Sequence, residues 1–384
     1  MEIAKAAEQV QASSAYRSSG KKMIRLNIGE PDFTAAPLVQ ESAMRAIRSG
    51  TTQYTHATGL GELRELISQW YKDRFKLKID PERIVITSGA SAALQLACLA
   101  LIEGGDEILM PDPSYPCNRQ FVQASGGIPK LIATTAGARF QLSLSQVQEH
   151  WSKNTRGVLL ASPSNPTGTS IAPEVLKSII NFTEHKGGIT IADEIYLGLS
   201  YDDQYGHSAL SISDEVISIN SFSKYFNMTG WRLGWMVVPP SLVAPIERLA
   251  QNLFICPSTI SQYAALSCFE PESLALFEQR RSEFKARRDL FVPLLNKMGL
   301  EVPVPPDGAF YAWADCSKVC KQLGLAGSWE LAFEFLNKAY VAVGPGRDFG
   351  LRNMENYIRF STASSSAELH EAADRLSQMI GERL

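Results

Sequence analysis

Between about residue 80 and residue 240, short apolar runs alternate with longer stretches of helical character. The runs are "RIVITSG", "DEILMP", "PKLIAT", "GVLLASP", "GITIADE", "VISINS" and "GWMVVP". Continuous apolar strands separated by helices predict a mostly parallel central sheet covered on both faces, an α/β arrangement. After Pro257 the pattern changes to long charged helices, such as "SLALFEQRRSEFKARRDLFVPLLNKM", and then to "GAFYAW", "VAVGPG" and "YIRFST". That mixture predicts a smaller α+β domain completed in space by the start of the chain. The expected division is a large domain over 45–275 and a discontinuous small domain from 1–44 and 276–384. No internal repeat or low-complexity tract interrupts the pattern.

Composition narrows the function. The chain has 384 residues, 45% hydrophobic content and a net charge of −3, which is enough apolar material for a large core. Acidic and basic residues are interspersed, so the basic footprint of a nucleic-acid binder is missing and no nucleic-acid partner is expected. No apolar run approaches the ~18 residues of a membrane span, and the first residues have no apolar core behind a positive charge. The expectation is a soluble, cytoplasmic protein without a membrane partner. Six cysteines are scattered, at 98, 117, 256, 268, 316 and 320, and read as reduced thiols. Cys316 and Cys320 stand one helical turn apart without a histidine or further cysteine at metal spacing, so no metal site is expected. The five histidines are dispersed as well.

In sheets of this kind ligands gather at the carboxyl ends of strands. After "RIVIT" come Ser88, Gly89, Ala90 and Ser91, opening the helix "AALQLACLALI". Free N–H groups and small side chains there suit a phosphate, although, taken alone, a tight turn with a serine cap explains them more readily. Tyr115 follows "DEILMPDPS", Asn165 to Gly168 follow "GVLLASPS", and Asp193, Glu194, Ile195 and Tyr196 end "GITIADEIY". Each of these has an innocent turn or cap reading. Lys224 stands in "NSFSKYFNMTGWRLGW", eight residues before Arg232. A lysine in apolar surroundings either reaches water or lowers its pKa. In the second case it is the amine that forms a Schiff base with a carbonyl. Phosphate cradle, aromatic plate, amide, acid, phenol, lysine and arginine on one sheet edge together meet the needs of pyridoxal 5′-phosphate.

At this point the chain resembles the class I/II aminotransferases of pyridoxal-phosphate fold type I, in the branch that includes aspartate and alanine aminotransferases. The likeness runs through "LNIGEPDF", "QYTHATGLGELREL", "TSGAS", "PDPSYP", "SPSNPTGT", "ADEIY", "SFSKYFNMTGWRLGW", "PDGAFY", "VGPGRDFG" and "YIRFS", in the family's order. The resemblance implies Lys224 as the Schiff-base lysine and proton carrier, with Asp193 on the ring nitrogen. Asn165 and Tyr196 would face the ring's phenolic oxygen, and Tyr115 a ring face. It places Gly89, Ala90, Ser91, Ser221 and Arg232 on the phosphate, joined by Tyr54 from the neighbouring subunit of a homodimer with shared sites. Arg359 would take the substrate α-carboxylate, and Gly29 would let the N-terminal segment close over the amino acid. The implied activity moves an amino group between an L-amino acid and a 2-oxo acid by a ping-pong mechanism. C–S β-elimination on the same scaffold, or a catalytically silent cofactor-binding protein, would use the same residues. The arginine that one aspartate-specific branch carries within the segment reading "NLFICPSTISQ" here has no counterpart, so the sequence leaves the substrate side chain open.

Overall fold

The computed structural model describes residues 2–381. The seven apolar runs form one sheet from β2 (Ile84–Thr87), β3 (Glu107–Asp112), β4 (Ile128–Ala133), β5 (Thr155–Ala161), β6 (Ile189–Asp193), β7 (Ile217–Ser221) and β8 (Gly234–Val237). Its order is β2-β8-β7-β6-β5-β3-β4. Pairing is parallel from β7 through β4, and only β8 runs against both its neighbours, β2 and β7. Since β2 and β7 are both antiparallel to β8, they point the same way. The carboxyl ends of β2, β3, β5, β6 and β7 therefore share one edge. Strands β2, β7 and β8 are buried along their whole length, as expected where helices cover both faces. The helix Ala90–Leu101 is apolar nearly all round and buries Ala93, Leu94, Leu96, Ala97 and Cys98.

A second, smaller unit forms around two short sheets. The strand β1 (Ile24–Arg25) pairs in parallel with β10 (Val341–Ala342). The antiparallel set of β11 (Gly344–Pro345), β12 (Tyr357–Ser361) and β9 (Tyr311–Asp315) has β12 at its centre. Ile3, Ala7, Ile24 and Leu26 join Phe360, Leu369 and Leu376 in one core. Farther along, Ala35, Val39 and Ala43 pack instead with Ile86 and Trp235 beside the large sheet. The N-terminal segment thus divides between the two cores. The helix Pro271–Lys297 spans both as well: Phe277 and Phe284 enter the large-sheet core, Phe291 and Leu295 the smaller one.

Candidate active site

The shared strand edge carries a cavity of about 340 Å³. At one end, β2 hands over to the helix Ala90–Leu101 through Gly89, whose φ is +84°, a conformation that favours glycine. A Cβ at Gly89 would also collide with the Arg232 guanidinium, with Cζ only 3.0 Å away. Arg232 is therefore held directly over the free N–H groups of the helix start, next to Ala90, Ser91 and Ser221 on the cavity wall. A helix N-terminus and a guanidinium that meet this way make a strong anion cradle.

At the far side, β6 ends in Asp193, which is 4% exposed. Burial pushes its carboxyl up to about 6, against the N–H of Ile195 and the side chain of Asn118, which pull it down. An acid buried this way is stabilised by a cationic partner when it ionises. Lys224 follows β7, and its Nζ donates to the Gly29 carbonyl at 2.7 Å. Burial lowers its pKa to about 8; Glu30 opposes the shift while Arg359 and Arg232 reinforce it. The amine is therefore partly neutral near physiological pH. Burial thus acts on this lysine by lowering its pKa.

Arg359 comes from β12, where its neighbours Ile358 and Phe360 fill the smaller core and turn it the other way, into the cavity. Its Nη1 donates to Asn165 Oδ1 at 2.8 Å and its Nη2 to the Asn27 carbonyl at 2.6 Å. Its buried Nε has no partner among the described residues. The guanidinium lies between the rings of Tyr311 and Phe349, 4.5 and 4.6 Å from their centroids. Tyr196 Oη shares a 2.7 Å hydrogen bond with Tyr311 Oη. A Cβ on Gly29 would overlap that Tyr311 hydroxyl, so the backbone at Gly29 comes as close to the site as a chain can.

The cavity wall thus brings together Gly29, Ala90, Ser91, Tyr115, Asn165, Asp193, Tyr196, Ser221, Lys224, Arg232 and Arg359. Gly89 stands behind it against Arg232, whereas Tyr54 lies outside, 79% exposed. Sequence reasoning gave no role to Asn27, Asn118, Tyr311 or Phe349. Asn27, Tyr311 and Phe349 sit in the quoted stretches "LNIGEPDF", "PDGAFY" and "VGPGRDFG", which was the available signal. Ile3 and Ala4, also on the wall, lie in a helix whose sequence gives no sign of a site.

The donor set fits pyridoxal 5′-phosphate: an anion cradle that glycine alone permits, and across the cavity a buried acid with no direct ion pair among the described residues, with a neutralisable lysine between. Together with the mostly parallel sheet, this defines a pyridoxal-phosphate enzyme of fold type I. The chain belongs to the class I and II aminotransferases, whose family model, described as "Aminotransferase class I and II", matches residues 21–376. It is 36% identical over 366 residues to the (5-formylfuran-3-yl)methyl phosphate transaminase of Methanocaldococcus jannaschii, covering 94% of this chain and 93% of that protein. It is likewise 36% identical to the valine–pyruvate aminotransferase of Mycobacterium tuberculosis, over 95% of this chain and 92% of the relative. A crystal structure of an aminotransferase from Mycobacterium tuberculosis superposes with a TM-score of 0.93 at 34% identity, covering 99% of this chain and 96% of the other. The protein is a pyridoxal-phosphate-dependent aminotransferase. Among the described residues, no helix is long and apolar enough to cross a membrane.

Proposed function

We propose that Lys224 is the amine through which this aminotransferase holds its cofactor and moves the substrate α-proton. On the same reading Asp193 serves the ring nitrogen, Arg232 with Gly89, Ala90, Ser91 and Ser221 serves the phosphate, and Arg359 grips the α-carboxylate. The observation that carries this is the placement of Lys224 Nζ in one cavity between a buried acid and two arginines. Pyridoxal 5′-phosphate, when bound, supplies the electron sink that makes an amino acid's α-proton removable.

The side chains do the rest. Lys224 Nζ, with a pKa near 8, can be neutral and so accept the α-proton, and would then deliver it to the cofactor's C4′ carbon. An ionised Asp193 keeps the ring nitrogen protonated, and Tyr115 covers a ring face. Asn165 and Tyr196 offer an N–H and an O–H to the ring oxygen. Arg359 meets a carboxylate with a planar, two-point grip, and Gly29 lets the N-terminal segment close over the amino acid and exclude water. Amino transfer runs as two half-reactions at this one site, with ping-pong kinetics.

The reading includes a cytoplasmic homodimer. Six cysteines without disulfides favour a reducing compartment. Met44, Ile47, Tyr54, Leu253, Phe254 and Ile255 are large apolar residues exposed to solvent. The helix Thr259–Leu266, which follows the exposed Leu253 to Ile255, joins the other two elements: Ser42 donates to the Tyr263 carbonyl at 3.0 Å and Thr259 to the Gln53 carbonyl at 2.7 Å. Apolar exposure on adjoining elements favours a second copy as its cover, with Tyr54 reaching the partner's phosphate cradle. Single-turnover mixing of the holoenzyme with an amino acid, followed by sedimentation, tests both parts. Lys224→Ala should give no 2-oxo acid, and the active species should sediment as a dimer. Turnover by the variant without added amine, or an active monomer, refutes the respective part.

A further inference from the structure

The surroundings of Arg359 point to the side chain that this enzyme prefers, an inference that rests on Arg359 as the α-carboxylate grip. Gly344 lies directly across from Arg359 in the strand pairing, and Phe349 stacks on its guanidinium. Asp348, half-buried, lines the same cavity and lies close enough for the two charges to interact. Glu2 pairs with Arg347 at 3.6 Å, which brings the start of the first helix, with Ile3 and Ala4, onto the cavity wall. The wall around the grip is therefore hydrocarbon from Ile3, Ile28, Val343 and Phe349, with one carboxylate among it.

The cations have been used up. The Lys and Arg side chains on the cavity wall are Lys224, Arg232 and Arg359, committed to the cofactor carbonyl, the phosphate and the α-carboxylate. The stretches Ser49 to Leu63 and Leu249 to Gln279 hold no Lys or Arg either; the cations of the face described above are Arg45 and Arg48, in the last turn of the helix Pro37–Arg48 and not on this wall. On this chain's wall a second substrate carboxylate would find no cation left over and would face Asp348. Like charges held together in a partly desolvated site are a strong means of rejecting a ligand. A hydrocarbon side chain, by contrast, gains by leaving water for such a wall.

We infer that the side-chain subsite takes amino acids with uncharged, mainly hydrocarbon side chains, and that Asp348 sets the discrimination against aspartate and glutamate. Both half-reactions use one site, so the same preference governs the 2-oxo acid.

Two measurements on the holoenzyme test this. Titration with unreactive acids, followed through the cofactor's absorbance, should show 4-methylvalerate binding at least tenfold more tightly than succinate. Equal or tighter succinate binding overturns the inference. In turnover, wild type should have a higher kcat/KM for L-leucine than for L-aspartate, and Asp348→Asn should raise the aspartate-to-leucine ratio at least fivefold. An unchanged ratio removes Asp348 from the role. Should that variant not fold, the wild-type titration still decides the substrate class. Arg359→Lys should weaken both acids together; if succinate alone weakened, the assignment of Arg359 would be the part that failed.

Discussion

Arg359, on the central strand of the smaller sheet, donates through Nη1 to Asn165 Oδ1 at 2.8 Å, in the loop after β5 of the large sheet. One hydrogen bond thus joins the residue that grips substrate to a residue that faces the cofactor, across two cores. With Nη2 on the Asn27 carbonyl, the guanidinium is aimed before any substrate arrives, so less freedom is lost on binding.

Arg359→Lys should weaken every amino-acid donor, because an ammonium cannot reproduce the planar grip or bridge Asn165 and Asn27 together. The loss in kcat/KM should be near parallel across donors and at least ~1.5 kcal/mol, the lower range for a charged hydrogen bond. Steady-state kinetics over a donor panel checks this, and a loss confined to acidic donors would contradict it.

Lys224→Ala should abolish turnover while leaving the fold intact, since among the described residues Nζ makes a single hydrogen bond, to the Gly29 carbonyl, and its burial opposes its charge. Circular dichroism and thermal melting should match wild type or exceed it. Measurable steady-state turnover without an added amine would remove the lysine from its role.

Asp112 offers a test of how the wall around Arg359 is held. It is 1% exposed at the end of β3, and its carboxylate accepts from the backbone of Leu351 at 3.1 Å and of Arg352 at 3.2 Å. Ser114 adds a bond to the Phe349 carbonyl at 2.9 Å. These contacts pin the loop that presents Asp348 and Phe349 to the large sheet. Asp112→Ala should raise KM by about tenfold, in line with ~1.5–3 kcal/mol for hydrogen bonds to a charged group. Asp112→Asn, which keeps one acceptor, should recover part of it. An unchanged KM in the alanine variant would show that the loop holds itself.

Much of this fold was legible because local pattern and tertiary environment agree. Every apolar run between residues 80 and 240 became a strand, since buried β-branched segments bounded by glycine and proline have few alternatives. Arg359 was legible for a related reason: the alternation with Ile358 and Phe360 fixes the face it must occupy. What stayed hidden depends on contacts between distant segments. Nothing local in Ile3 or Ala4 says that the first helix begins on the cavity, and Tyr311 gains its place through the distant Gly29, Tyr196 and Arg359. The split of the N-terminal segment between two cores was hidden too, because Ala35, Val39 and Ala43 are suitable for either.

Asp193 makes the last prediction, and it concerns pH. In the cofactor-free protein its carboxyl titrates at about 6, raised by burial from an ordinary value of 3.8. The folded chain therefore keeps a proton that the unfolded chain has already released. Its favourable contribution is complete below about pH 4 and is lost as pH rises through 6, because the ionised form is costly to bury. The span corresponds to roughly 3 kcal/mol at most, at 1.36 kcal/mol per pH unit. Asp193→Asn cannot ionise, so urea unfolding of the two cofactor-free proteins at pH 4.5 and 7.5 should show wild type losing more stability than the variant. The neighbouring Glu194, also raised by burial, to about 7, feels the Asp193 charge, which raises it further; removing that charge in the variant reduces the Glu194 loss as well, in the same direction as the expected difference. Cofactor binding should reverse the sign for wild type, since a protonated ring nitrogen favours the carboxylate. Equal pH dependence in the two cofactor-free proteins would mean that Asp193 is already ionised without the cofactor, and the charge pairing proposed for it would lose its physical basis.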